Sequence, residues 1–504
     1  MELPNDINEL KQLVYTLIDE IVSLKTEVAT LKSQVASLEK ENAALRKENA
    51  ALRKENAELK QENILLKIEI SELKARLNQN SSNSSKPPSS DYFNRKPAFS
   101  KTSVGKKGGQ SGHKGDTLKQ IENPDKIVEC RPDKCECGHT FNSAELLVAE
   151  KRQVFDLPQP KLEVTEYQIF SGRCPICGKT HKGISPSNVN SPVQYGNGVR
   201  AFSTMLSTTY KLPYKKIQLM FKDLFGYSLN ESTVYSANKR CYNELAQSEK
   251  LILENLLKEQ VVHADETGIK VNKKNHWIHT LSSILFTYQF AHEKRGREAF
   301  ISESSILDNL VNWLIHDCWS SYFNLEKIKH ALCGAHLIRE LQGVIDNNEN
   351  NKWAIDLRRF LLEVKEMSFT KRLQNRSNIE MRYQNICELG NNTEPSPIKI
   401  PGKRGKPKKT KARNLVERLI KHRDAVLAFA FNPEVPFTNN LAERDLRPTK
   451  LKLKISNCFR SEDGAKIYAR IESFVSTARK NNKNIFEELK GTFDGQNFLT
   501  LQGS

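Results

Sequence analysis

Leucine recurs at every seventh residue from Leu10 to Leu73. With that position as d, the a positions hold Ile7, Val14, Ile21, Val28 and Val35, then Asn42, Asn49, Asn56 and Asn63, then Ile70 and Leu77. Apolar a and d positions sustained over this length predict a coiled coil. β-Branched a residues with Leu at d favour two parallel strands, and a buried Asn at a costs stability but fixes register and chain number. Glu20, Glu27, Glu41, Glu48, Glu55, Glu62 and Glu69 occupy g, and Lys25, Lys32, Arg46, Arg53, Lys60, Lys67 and Lys74 occupy the e positions five residues on. This is the interchain pairing of a parallel dimer. At ~0.3 kcal/mol per exposed pair it selects the partner more than it holds it. Residues 1–78 are read as a leucine zipper, roughly 110 Å long at ~1.5 Å per residue.

The periodicity stops after Leu77. NQNSSNSSKPPSSD (78–91) and VGKKGGQSGHKGD (104–116) have too few apolar residues to build a core, so 79–120 is read as a flexible basic linker. In 121–190, the alternation of KLEVTEYQIF (161–170) predicts a strand between two cysteine segments, CRPDKCECGHTF and GRCPICGKTH. Residues 195–245, within a domain expected at 191–255, read as helical, punctuated by Pro213 and Gly226. KKIQLMFKDLFG, YSLNES and TVYSANKRCYNEL have the layout of a helix-turn-helix, with Asn230 or Ser232 as N-cap of the second helix. That layout suits a DNA-binding domain, and a plain helical connector has it too.

Over 256–345 the period changes again. EQVVHADETGIKV, HWIHTLSS and ILFTYQFAHEKRG read as strands, and REAFISESSILDNLVNWL as an amphipathic helix. LIHDCWSSYF reads as a short buried strand carrying one acid, and IKHALCGAHLIRELQGVI as a strand running into a helix. The order βββαβ is that of a ribonuclease-H-like α/β domain, whose first acid lies on the first strand and second at the end of the fourth. Asp265 and Asp317 stand there. A third acid is expected from a late helix. TNNLAERDLRP (438–448) offers Glu443, with Arg447 at i+4 on the same face before Pro448 interrupts the helix. Residues 346–432 are read as a helical insertion containing the basic loop KIPGKRGKPKKTKAR, and 433–504 as the last part of the catalytic domain. The expected architecture is therefore multidomain: coiled coil, small zinc-binding β domain, helix-turn-helix-like domain, and a catalytic domain with a helical insertion.

Charge and cysteine content sharpen the chemistry. A net charge of +18 and a pI near 9.3 point to a polyanionic partner. Lys403, Arg404, Lys406, Lys408 and Lys409 of the loop, together with Arg447, are candidate DNA contacts, although a solvated loop has the same composition. Three carboxylates suit phosphodiester chemistry, because two divalent ions held by such groups activate the attacking oxygen and stabilise the leaving one. Mg²⁺ (or Mn²⁺) fits, since it takes few protein carboxylates. Cys135, Cys137, Cys174 and Cys177 are candidate ligands of a structural Zn²⁺. The Cys135–Cys137 spacing is one residue short of the usual knuckle, so Cys130 or His139 is an alternative ligand. The N-terminus MELPNDINEL has no leader pattern and no apolar run is long enough for a bilayer, so a cytoplasmic protein, nucleoid-associated when bound to DNA, is expected. A basic-zipper regulator places its basic helix before the zipper, and only six residues precede this one.

Several segments together resemble the insertion sequence 66 family of bacterial DDE transposases. These are SSKPPSSD (84–91), GGQSGHKG (108–115), the cysteine segments, HADETGIKV (263–271), KRG (294–296), CGAHLIREL (333–341), FTNNLAERDLRP (437–448), FRSEDGA (459–465) and TARK (477–480). The resemblance covers nearly the whole chain. It implies an enzyme that binds the ends of a mobile element, cleaves DNA and joins 3′ ends to target DNA, with Asp265, Asp317 and Glu443 as catalytic acids. It further implies double-stranded DNA as partner, a homodimer through the coiled coil, and accessory proteins of the same element. Cys333 and His336 are similar to a Cys-x-x-His element that follows the second Asp in many DDE enzymes; a packed strand end is the other reading. His316 and Cys318 depart from the small residues usual around the second acid. A nuclease of the same fold without strand transfer, or a dimeric DNA-binding regulator, is the alternative function.

Overall fold

The computed structural model describes residues 6–80, 83–84, 118–132, 134–396 and 409–502. Lys403, Arg404, Lys406, Lys408 and most of the 79–120 linker lie outside the described residues. The chain divides into two compact units, Met1–Gln79 with Glu340–Leu357 and Gln384–Ile420, and Asn80–Arg339 with Arg358–Tyr383 and Lys421–Ser504. Among the described residues no helix is long and apolar enough to cross a membrane.

In the first unit, α1 runs unbroken from Ile7 to Leu77, with Asp6 accepting the Asn8 N–H at 3.2 Å as N-cap. Each d-position leucine from Leu10 to Leu73 is at least 39 % exposed, so the apolar seam lies open along a single chain.

The second unit opens with the cysteine region. Strands β1 (Ser171–Arg173) and β2 (Thr180–Lys182) form a short antiparallel hairpin. Residues 161–170, expected as a strand, form none. Val164, Ile169 and Phe170 are exposed, so the alternation has no layer to pack against. Four helices follow: α2 (Asn197–Thr204), α3 (Tyr214–Phe225), α4 (Glu231–Glu244) and α5 (Ala246–Lys258). A π-helical turn, Met205–Thr209, extends α2. Gly226 ends α3 at φ +74°, which favours glycine, and the Asn230 side chain caps α4. Leu206, Ile217, Phe221, Leu229 and Val234 make the local core. The outer face of α4 presents Ser232, Tyr235, Ser236, Lys239 and Asn243.

A five-stranded mixed sheet forms the centre of this unit. β3 (Val261–Val271), β4 (Lys274–Ser282) and β5 (Thr287–His292) are antiparallel neighbours. β6 (Trp313–His316) lies parallel to β3, and β7 (Lys329–Leu332) parallel to β6, giving the order β5-β4-β3-β6-β7. Asn272 and Lys273 join β3 to β4 with φ of +45° and +67°, the tight hairpin turn whose twist matches the strands. The segment 297–314, expected as one amphipathic helix, instead holds a single turn, α6 (Arg297–Phe300), and a 3-10 turn at Leu307–Asn309. Serines break it: Ser302 Oγ donates to the Ala299 carbonyl, and Ser305 Oγ accepts the Leu307 N–H.

After β7 come α7 (Gly334–Asn347), α8 (Lys352–Glu366), α9 (Phe369–Gln374), α10 (Arg376–Thr393), α11 (Lys411–Lys421) and α12 (Arg423–Phe431). The chain returns with α13 (Asn440–Ser456), α14 (Glu462–Lys480), α15 (Ile485–Phe493) and α16 (Phe498–Gln502). Helix α13 continues through Pro448, contrary to the expected interruption. Leu446 and Thr449 are buried on either side of the proline, and this packing outweighs the lost hydrogen bond. Helix α14 covers the edge strand. Ser473 Oγ and Thr477 Oγ1 accept the Gln289 and Thr287 N–H groups at 2.7 and 3.0 Å, satisfying donors that an open edge would leave free.

Candidate active site

Two acids, Asp265 and Asp317, lie near enough for the charge of one to act on the other. The parallel register pairs His263 of β3 with Ile315 of β6, and two residues further on it sets Asp265 beside Asp317, just past the end of β6. Asp317 lies beyond the last residue of β6, and its charge acts on both Asp265 and Glu266, which places the three acids near one another. The Asp265 carboxyl is pushed up to about 7 by burial, then by the charges of Glu266 and Asp317, with Lys450 and the Glu266 N–H opposing. Asp317 Oδ1 accepts the Trp319 N–H at 3.1 Å.

Glu266 faces the other way. Its side chain is 1 % exposed and takes a forked bond from Arg295, Nε at 2.9 Å and Nη2 at 2.8 Å, and the Tyr322 hydroxyl at 2.5 Å. The Arg295 guanidinium itself lies 3.5 Å from the centroid of the Trp319 ring and 4.9 Å from that of Trp277. Burial raises the Glu266 carboxyl, and Asp317 adds to the effect.

Glu443 lies in the first turn of α13. Its Oε1 is buried, accepts no hydrogen bond, and faces His336 Nδ1 at 3.5 Å and Arg339 Nη2 at 3.8 Å. Cys333 stands between β7 and α7, and donor atoms of Cys333, His336 and Glu443 lie within 4.8 Å of one another. Gly334 must be glycine, because a Cβ there would lie 2.3 Å from the Phe437 ring. His336 is pushed down to about 4 by burial, with Arg339 and Lys450 adding to it. Lys450, two turns beyond Glu443 on α13, thus acts on both Asp265 and His336.

One residue not singled out in the sequence ties these parts together. Asn439, 1 % exposed, donates through Nδ2 to the Ala264 carbonyl at 2.8 Å and through its backbone N–H to Cys333 Sγ at 3.2 Å. Its Oδ1 is left to accept from His263 Nδ1 at 2.9 Å, so His263 carries its proton there. Burial holds His263 near 4, hence neutral. Asn439 sits in the matching segment FTNNLAERDLRP, whose asparagines gave no chemical reason to be noticed. Within the same segment Asp445 is bound by Lys480 at 2.5 Å and by the Thr287 hydroxyl at 3.0 Å, a packing role. Of the other acids between Asp317 and α13, Glu417 is held by Lys409 and Arg413, and Glu434 is exposed. Arg447 is exposed on α13, with Lys450 and Lys454.

The cysteine pairs form two separate turns. Gly138 and Gly178 follow them at φ +88° and +67°. Amide N–H groups point at the sulfurs: that of His139 lowers the Cys137 thiol, helped by Cys135, and those of Cys177 and Ile176 lower Cys174. Such turns fit metal-binding thiolates. Among the described residues the three-ligand group is the one at Cys333, and the two cysteine pairs are not drawn into another.

A family model described as Transposase IS66 family matches residues 192–467, more than half of the chain, including Asp265, Asp317, Cys333, His336, Asn439 and Glu443. The chain belongs to the IS66 transposase family. A second model, of a family of unknown function (DUF6444), matches residues 38–119. No curated protein matches the chain. Membership in the IS66 family supports a transposase function, implies DNA as the substrate and suggests use of divalent metal.

Proposed function

We propose that this IS66 transposase binds the ends of its insertion sequence, cleaves DNA phosphodiesters and joins the 3′ ends to target DNA through a ribonuclease-H-like active site built on Asp265, Asp317 and Glu443. The observation that carries this reading is the Asp265–Asp317 pair. Two carboxylates, one on β3 and one just past the end of the parallel strand β6, the first pushed up to about 7, form a site short of positive charge. Glu443 offers a third carboxylate, whose buried Oε1 accepts no hydrogen bond. Two Mg²⁺ (or Mn²⁺) ions, when bound there, supply Lewis acidity to the attacking and leaving oxygens. Asn439 positions α13 against β3, the forked Arg295 bond keeps Glu266 out of the site, and Arg447, Lys450 and Lys454 offer phosphate contacts along α13. The strand order β5-β4-β3-β6-β7, three antiparallel then two parallel, supports the fold assignment.

The other domains take supporting roles in the same reading. The outer face of α4 and the 403–409 loop contact DNA. The two cysteine turns close over a structural zinc through Cys135, Cys137, Cys174 and Cys177. The open seam of α1 pairs in parallel with a second copy, bringing two active sites to two element ends. The deciding experiment uses DNA carrying the sequences that flank the gene on both sides. Asp265→Asn, Asp317→Asn and Glu443→Gln should each abolish Mg²⁺-dependent cleavage and strand transfer while DNA binding survives. Strand transfer by either aspartate variant would refute the assignment.

A further inference from the structure

We propose that Cys333, His336 and Glu443 bind one thiophilic divalent ion of the zinc class, distinct from the hard ions of the aspartate pair, and that its binding withholds Glu443 from that pair. The binding does not depend on the proposed function; only its inhibitory consequence does, because that needs Glu443 as a catalytic acid.

Three observations carry the inference. The donors are one sulfur, one imidazole nitrogen and one carboxylate oxygen, all within 4.8 Å of one another. Sulfur and imidazole select zinc over magnesium, which prefers oxygen alone. Two of the donors are buried atoms with no hydrogen-bond partner, His336 Nδ1 and Glu443 Oε1, and they face each other across 3.5 Å. Ligands at the usual zinc distances define a tetrahedral edge of about 3.3 Å, so this gap already has nearly the required span. Finally, Cys333 Sγ accepts the Asn439 N–H at 3.2 Å, the kind of outer bond that orients a metal-bound thiolate. A thiolate and a carboxylate neutralise the ion, so the loaded site carries no net charge beside the cations Arg339 and Lys450. The three side chains leave a fourth tetrahedral position open.

The short spacing from Cys333 to His336 at the start of α7 places both side chains on one turn, and the Asn439 bonds bring α13 up to them. The group is therefore assembled by the same contacts that set the catalytic face.

The test uses the full chain, dialysed against zinc and then against metal-free buffer. Wild type should retain about one zinc per chain more than Cys333→Ala and than His336→Gln, whatever the cysteine turns contribute. Cobalt in place of zinc should give a difference spectrum, wild type minus His336→Gln, that contains thiolate-to-cobalt charge transfer. His336→Gln is the check should Cys333→Ala, in a buried position, fail to fold. Zinc should inhibit Mg²⁺-supported cleavage by wild type at concentrations on the order of tenfold or more below those needed for Cys333→Ala. Equal zinc content in wild type and His336→Gln, with no difference spectrum, overturns the site. A site that binds zinc without inhibiting refutes the link to Glu443 and leaves metal binding in place.

Discussion

Replacing Asp265 with Asn should stabilise the metal-free protein while destroying activity. The Asp265 carboxyl is pushed from 3.8 to about 7 by burial, Glu266 and Asp317. A shift of ~3 units corresponds to about 4 kcal/mol against the ionised form, at ~1.36 kcal/mol per unit. That is a ceiling, because Asp265 is only half-buried and the Asn amide must be desolvated too; a gain of about 1–2 kcal/mol is expected. The sign follows from linkage. A carboxyl raised in the fold contributes its stability below the unfolded value, near 4, and loses it as pH rises to about 7. The advantage of Asp265→Asn should therefore grow from pH 4 to pH 7 and level off above. Urea unfolding followed by tryptophan fluorescence suits the assay, since Trp277 and Trp319 flank Arg295 beside the site. Saturating Mg²⁺ should raise the wild-type midpoint and leave that of Asp265→Asn nearly unchanged. Glu266→Gln is the contrast. It sets an amide N–H against the Arg295 fork, should cost about 1–3 kcal/mol, and should keep far more activity than Asp265→Asn. An Asp265→Asn variant less stable than wild type at pH 8 without metal, or equal stabilisation of both by Mg²⁺, would refute this role of Asp265.

Three further outcomes are expected. Lys211 and Glu472 form a buried ion pair at 2.5 Å, 2 % and 1 % exposed, so Lys211→Met should destabilise by about 3–5 kcal/mol in urea unfolding, whereas Lys211→Met with Glu472→Leu should recover most of the loss. His279, stacked on Phe290 and held near 4 by burial, together with His263 near 4 and His316 near 3, stays neutral in the fold but protonates near 6.5 when unfolded. Stability should accordingly fall as pH drops from about 6.5 to about 4, by up to ~1.4 kcal/mol per unit for each histidine; a stability flat over that range would contradict it. Replacing Leu38 and Leu45 with Asp should convert a dimer in sedimentation analysis to a monomer, and a wild-type chain that sediments as a monomer at micromolar concentration would refute the zipper.

Local periodicity by itself determined a good part of this protein. The helix Ile7–Leu77, the capped pair α3 and α4, and the strands around HADE and HDC each follow from a repeat of one kind of residue at one spacing, and that information lies within a few turns of chain. It misled where local and tertiary demands differ. Residues 161–170 alternate like a strand yet have no layer to bury against, the serines of 302–305 take hydrogen bonds from a helix whose apolar spacing was right, and Pro448 sits inside a helix because its neighbours are buried. Only the folded chain decided the site. The β3–β6 register sets Asp265 beside Asp317, residues 52 positions apart, and Asn439 joins Ala264 to Cys333 by two hydrogen bonds that no spacing could encode. Glu443 was legible as an acid on a late helix, and Cys333 and His336 as a Cys-x-x-His element, but their meeting was not, because contacts between distant segments depend on how the whole sheet and its covering helices pack.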